Sequence, residues 1–226
     1  MFRGIYLNLY YGILISATYI SLSYLKKVDK PFALLCLLIL LTAINEFIAG
    51  YLYFCRKPNG IVYLIFTPVE YFIYAMIYKI FLNDKKWTRI LFISFACLIV
   101  LEIVNTIFYQ RLSIPTNIMS IESVLLVILS LKLFIKIREE PVYENVLNEG
   151  VFWFNSAVLV YYSFDILIWG FHSLVYHLKD PPRIIYNILQ LFSGLLYLTY
   201  GAAIFLNYFS INKTLSKDGS AFANKR

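Results

Sequence analysis

The chain has 226 residues, of which 61% are hydrophobic and 15% charged, and its mean hydropathy is +0.71. A water-soluble domain of this length could not bury so much apolar surface, so the composition excludes one and predicts a protein dissolved in lipid. The net charge of +7 requires no nucleic-acid partner, because basic residues at the ends of membrane spans anchor them to the anionic lipid bilayer.

Seven apolar runs are long enough to cross a bilayer as helices, which takes about 20 residues. Taken in chain order, they are roughly Gly4–Leu25, Pro31–Cys55, Gly60–Leu82, Lys86–Tyr109, Ile114–Arg138, Gly150–His177 and Pro182–Phe209. Strands of a membrane β-barrel would be about ten residues long and strictly alternating, which these runs are not. We therefore predict an all-α polytopic membrane protein, with one seven-helix domain over 1–210 and a short cytoplasmic tail over 211–226.

The distribution of Lys and Arg predicts the orientation of these spans. Fourteen basic residues fall on one side of the predicted topology and six on the other. The richer side faces the cytoplasm by the positive-inside rule, so the N-terminus is outside and the C-terminus inside. The abundance of Ile, Lys, Asn, Tyr and Phe is typical of an AT-rich bacterial gene, which indicates the inner (plasma) membrane of a bacterium.

Five of the spans each carry one acidic residue. These residues are Glu46, Glu70, Glu102, Glu122 and Asp165. Counted from the outer ends of their runs, all five lie about 10–18 Å below the outer surface. A carboxylate that faces lipid costs at least a few kcal/mol, so we expect all five to face the bundle interior.

Other polar and aromatic residues share helical faces with these acids. Tyr74 lies one turn from Glu70, and Trp169 and His172 follow Asp165 at helical spacing. Asn187 and Gln190 form a similar stripe on the seventh run. Because the inner halves of several runs contain few polar residues, we expect a cavity that opens outward and ends near the middle of the membrane. The ten residues named as acids or companions are the predicted ligand-binding residues.

The chain lacks the residues that several familiar kinds of functional site require. Only two histidines are present, so a His-rich hydrolytic metal centre is not expected, and whether the acids hold a metal is left open. The seventh run has no lysine between Pro182 and Phe209, which excludes a retinal Schiff base like that of microbial rhodopsins. No other cofactor is expected, because the chain has neither a phosphate-binding loop nor a nucleophile elbow.

Three features describe the chain as a whole. They are its size, its topology of seven runs, and the segment "PVEYFIYAMIYKIFL" with its Glu in the third run. In these features the chain resembles the small, largely uncharacterised seven-helix integral membrane proteins of bacteria. The resemblance implies a fold and carries no activity.

Two interpretations of the acids follow from the sequence. They are either protonated or hydrogen-bonded groups that tie helices together, or they line a pocket for a cation, an amine or protons. The second interpretation predicts a receptor-like or sensory membrane protein that signals through a cytoplasmic partner at the acidic loop 139–149. A secondary transporter of a cation or a proton-coupled solute is the first alternative. An intramembrane enzyme that uses the carboxylates as acid and base is the second, although an enzyme is less expected.

Overall fold

The computed structural model describes residues 3–110, 114–139, 146–170 and 181–223, with side chains for 7–110, 114–139, 146–170 and 187–213. Within these ranges the chain is helical and contains no strand, as predicted. The α-helices are α1 Arg3–Tyr24, α2 Lys30–Phe54, α3 Gly60–Leu82, α4 Lys85–Phe108, α5 Thr116–Glu139, α6 Gly150–Gly170 and α7 Pro181–Ala223. A short 3₁₀ turn, Val146–Asn148, precedes α6.

Six of the described helices are long and apolar enough to span a membrane. They are α2 to α6 and the Asn187–Lys213 part of α7. The prediction of seven spans is thus supported for six, because α1 does not belong to this group. Its Ser and Thr residues lower its hydropathy, but their hydroxyl groups donate to the carbonyl oxygens four residues earlier, as Thr18 does to Leu14 at 2.7 Å and Ser21 to Ala17 at 2.8 Å. Such local hydrogen bonds satisfy polar side chains inside an apolar bundle.

The helix ends explain why the predicted turns lie where they do. After α2, Arg56 adopts a left-handed conformation with φ 56°, and the Lys57 N–H donates to the Leu52 carbonyl at 2.9 Å. This is a Schellman-type ending that satisfies carbonyl groups of the last turn. Asn83 ends α3 in the same left-handed region, and the Asp84 side chain caps α4 by accepting from the Lys86 N–H at 2.7 Å.

The helices follow one another around the bundle, and α7 closes it by packing against both α1 and α6. α3 contacts α2, α4 and α5, whereas α4 contacts only α3 and α5 among the stronger helix pairs. α4 is therefore peripheral. α3 is central, because its side chains also form hydrogen bonds with α6 and α7. Its central position places the polar and aromatic residues of α3 in the interior.

The bundle has two distinct ends. We call the end at which α2 and α4 finish the acid-layer end, and the end that holds the turns at 25–29 and 83–84 the lysine-rich end. At the lysine-rich end, Lys136 on α5 donates to the carbonyl oxygens of Phe81 and Leu82 at 2.8 and 2.9 Å. A cation at a helix C-terminus complements the helix dipole, so this contact fixes α5 against α3.

Candidate functional site

Three of the five predicted acids are deeply buried. Glu102, Glu122 and Asp165 are 7%, 3% and 4% exposed, respectively, while Glu46 and Glu70 are partly buried. None of the five is fully exposed, although long stretches of the same helices present Ile, Leu and Phe to the outside of the bundle. We call these five residues the acid layer.

The helix bounds place the acids at similar heights. Glu46 is eight residues before the end of α2, Glu70 ten after the start of α3, and Glu102 and Glu122 each six from the facing ends of α4 and α5. At 1.5 Å per residue these positions lie about 9–15 Å from the acid-layer end. Asp165 lies five residues before Gly170, the last described residue of α6.

Glu70 is held by a group of buried tyrosines. The Tyr162 hydroxyl on α6 donates to Glu70 Oε1 at 2.9 Å. The Tyr74 ring meets the Tyr162 ring edge-on with centroids 5.6 Å apart, and the hydroxyl oxygens of Tyr74 and Tyr200 lie 2.6 Å apart. Glu70 is therefore joined through hydroxyl groups and rings to α6 and α7.

Asp165 ties α6 to α5. The Ser123 hydroxyl on α5 donates to Asp165 Oδ2 at 2.7 Å and also lies 2.7 Å from the Met119 carbonyl. Trp169 is also buried and lies one turn further along α6, on the same helical face as Asp165.

Glu46 reaches α3 through a different residue. Its carboxylate lies close to the Tyr63 side chain, and Tyr63 lies nearly two turns before Glu70 on α3. Glu70 lies within electrostatic range of Glu46 and Asp165, and Glu122 within that of Glu70, Asp165 and Glu102. The acids therefore form one group of neighbouring carboxyl groups that runs from α2 across α3, α6 and α5 to α4.

A network of amide side chains closes the turn beside Glu102 and Glu122. Asn105 donates to Gln110 Oε1 at 3.0 Å, Gln110 donates to the Thr116 hydroxyl at 2.7 Å, and Asn117 donates to Asn105 Oδ1 at 2.9 Å. Asn105 lies one turn from Glu102, so the network joins the end of α4 to the start of α5 close to the two glutamates.

Three acids of the layer retain an oxygen with no hydrogen-bond partner within the described residues. These buried atoms are Glu102 Oε1, Glu122 Oε1 and Asp165 Oδ1. Burial strongly disfavours an ionised carboxylate that lacks compensating partners. The arrangement therefore suits acids that hold a proton, or that share a small cation.

Buried polar contacts continue past the acid layer toward the lysine-rich end. Tyr78 donates to Asn155 Oδ1 at 3.0 Å, and Asn155 and Ser130 exchange two further hydrogen bonds of 3.0 Å between α6 and α5. The expectation that polarity ends near the middle therefore needs correction. Ser123 and Ser130 were missed because they are isolated in an apolar run, where only the position of α6 reveals their role.

The remaining predicted residues are placed less centrally. On α7, Asn187 and Gln190 are partly buried, and Gln190 Oε1 has no partner within the described residues. On α7, Tyr197 lies close to Glu70 and Glu46, and the Tyr200 hydroxyl oxygen lies 2.6 Å from that of Tyr74, one turn beyond Glu70 on α3. His172 lies outside the described residues.

Two surface pockets lie away from the acid layer. One is an apolar groove between α3 and α4, and the other is an open depression lined by Tyr53, Phe54, Arg56, Lys57 and Pro58 at the end of α2. Neither is lined by an acid of the layer. In the part of the chain that the structure describes, no three His, Cys, Asp or Glu side chains are grouped to hold a metal ion.

Comparison with known proteins adds no assignment. The chain matches no known family model, no curated protein and no solved structure.

Proposed function

We propose that the chain is a sensory, receptor-like membrane protein whose acid layer binds protons within the bilayer. In this proposal the protein lies in the inner membrane of a bacterium, with its N-terminus outside and its C-terminus in the cytoplasm. The acid layer then belongs to the outer half of the membrane and responds to the external medium. The excess of basic residues at the opposite end supports this orientation.

The single observation that carries the proposal is the set of three buried carboxyl groups with unpaired oxygens. An ionised carboxylate in such a place would cost several kcal/mol. At the heights of these acids, the described parts of the helices carry no Lys or Arg that could offset that cost. A bound proton removes the charge without requiring a new ligand geometry. We therefore favour protons over an amine or a metal cation, which need several converging oxygens.

The contacts of the layer suggest how a proton would change the structure. Two acid–hydroxyl hydrogen bonds join helices: the Tyr162 hydroxyl on α6 donates to Glu70 on α3, and the Ser123 hydroxyl on α5 donates to Asp165 on α6. A hydrogen bond to an ionised carboxylate is roughly twice as strong as one to a neutral carboxyl group. Gain or loss of a proton by Glu70, which is only partly buried, would therefore change the strength of the contact between α3 and α6, and this is the proposed signal.

In this proposal the sensor passes its signal to a cytoplasmic partner. The loop 139–149 carries several acidic residues, and we propose it as the contact with a cytoplasmic signalling protein. Residues 140–145 of this loop lie outside the described residues.

Hydrogen exchange on purified protein in liposomes tests the sensory function. Acidification of the external medium should change protection in α3 and α6, where Glu70 and Tyr162 meet. Glu70→Gln, which mimics the protonated acid, should show the acid pattern at every pH. The control Glu139→Gln, an exposed acid on α5, should behave like the wild type. Protection that does not depend on pH in the wild type would contradict the proposal.

A proton-coupled transporter is the second candidate, and Pro68 favours it. Proline has no N–H to donate, so the Leu64 carbonyl loses its helical partner in the middle of α3. This break lies between Tyr63, the partner of Glu46, and Glu70, and it would allow the two halves of α3 to move separately. Proton uptake by proteoliposomes that contain a pH-sensitive dye separates the two candidates. A sensor should give none above protein-free vesicles, and a transporter should give sustained uptake.

A further inference from the structure

The lysine-rich end carries an apolar groove on its lipid-facing side. The groove lies between α3 and α4 and is lined by Phe72, Ala75, Met76, Lys79, Leu91, Phe92 and Phe95. Every lining residue except Lys79 is apolar, and the groove runs along the two helices from the level of Lys79 toward the middle of the bundle. The groove is shallow, but Phe72 and Phe92 are 39% and 46% exposed on the outside of α3 and α4, so a hydrocarbon chain can lie against them.

Basic residues surround the end of the groove that lies closest to the turn at 83–84. The Lys79 ammonium group lies 5.3 Å from the centroid of the Phe92 ring. Arg89 and Lys85 precede Phe92 by three and seven residues on α4, so all three share one helical face. Arg89 and Lys85 are exposed, and the acid between α3 and α4, Asp84, is engaged in capping α4.

We propose that this groove is a binding site for one anionic phospholipid, independent of the acid layer. An acyl chain would lie along Phe72, Met76 and Phe95, and the phosphate group would be bound by Lys79, Arg89 and Lys85. The charge of these residues is complementary to an anionic headgroup, and Arg provides the bidentate geometry that phosphate oxygens favour. A zwitterionic lipid would gain only the apolar contact.

Trp87 provides a local reporter for this site. It lies one turn before Leu91 on α4, and the Lys132 ammonium group lies 5.9 Å from its ring centroid. Bromine atoms on a bound acyl chain quench a nearby tryptophan. The difference in fluorescence between the wild type and Trp87→Phe isolates this signal from that of the other two tryptophans.

The experiment titrates purified protein in detergent with brominated phosphatidylglycerol and, separately, with brominated phosphatidylcholine. Phosphatidylglycerol should quench Trp87 with saturation, and phosphatidylcholine should do so only at much higher concentration. The double variant Lys79→Ala/Arg89→Ala should weaken phosphatidylglycerol binding by on the order of 10-fold. Soluble glycerol phosphate should not compete, because it lacks the acyl chain.

Two further variants distinguish a specific lipid-binding site from a general attraction of anionic lipids to the basic residues at this end. Lys26→Ala/Lys27→Ala removes two exposed cations at the same end, one of which also contacts an aromatic ring, and should leave binding unchanged. Ala75→Leu fills the groove and should weaken binding without removing a charge. Equal quenching by both lipids, an equal loss in the Lys26/Lys27 variant, or full competition by glycerol phosphate would overturn the proposal.

Discussion

The buried position of Glu122 makes a quantitative prediction about pH. Glu122 is 3% exposed, and one of its carboxyl oxygens has no partner within the described residues, so we propose that it carries a proton in the folded protein. In the unfolded chain it should lose that proton above about pH 4.3. The folded state then binds more protons than the unfolded state, and the free energy of unfolding must fall as pH rises. Each such group contributes about 1.4 kcal/mol per pH unit.

The test replaces Glu122 with Gln, which keeps the side-chain shape and cannot titrate. Between about pH 5 and pH 7 the free energy of unfolding of Glu122→Gln should fall less steeply than that of the wild type, by about 1.4 kcal/mol per pH unit. Equilibrium unfolding in mixed micelles at a series of pH values measures both slopes. Glu139→Gln is the matched control, since Glu139 is exposed on the same helix, and it should keep the wild-type slope. Parallel curves for Glu122→Gln and the wild type would refute the reasoning.

Three further predictions test other parts of the account. Tyr162→Phe removes the hydroxyl that donates to Glu70 and should lower the free energy of unfolding by about 1 kcal/mol. The loss should rise to about 2 kcal/mol at a pH at which Glu70 is ionised. A loss that is the same at every pH would contradict a change in the charge of Glu70. Asn155→Leu leaves the Tyr78 hydroxyl without its acceptor and should destabilise the fold by about 1–3 kcal/mol in the same assay, whereas no change would mean that water replaces the lost bonds. For topology, a cysteine at Asn59 should react with an impermeant reagent added to intact cells and one at Lys85 should not, and the reverse pattern would invert the orientation.

The fold was largely predictable because lipid imposes a simple rule on length. A span of about 20 apolar residues ended by charge, Pro or Gly is visible in the sequence, and for α3 the predicted and observed bounds coincide at Gly60–Leu82. α1 departs from the prediction, because its hydroxyl-bearing residues lower its hydropathy. It is therefore not among the six helices that are long and apolar enough to span a membrane. Residues 211–223 of the predicted tail continue α7 as helix.

The candidate site was predictable only in part. The acids stand out because carboxylates are rare in apolar runs, and Glu102 and Glu122 each lie six residues from the facing ends of α4 and α5. Their partners did not stand out. Ser123 and Tyr200 are ordinary residues in membrane helices, and their contacts with Asp165 and Tyr74 depend on how α5, α6 and α7 pack, which spacing along one helix does not determine.

The central claim is that buried acids of the layer hold protons in the folded protein at neutral pH. Infrared spectroscopy of the protein in lipid measures this directly, because a protonated carboxyl group absorbs at a carbonyl frequency that an ionised carboxylate lacks. The account predicts protonated carboxyl bands at neutral pH in the wild type, with one band lost in Glu122→Gln and another in Asp165→Asn. A wild-type spectrum at neutral pH with only ionised carboxylate bands would contradict it.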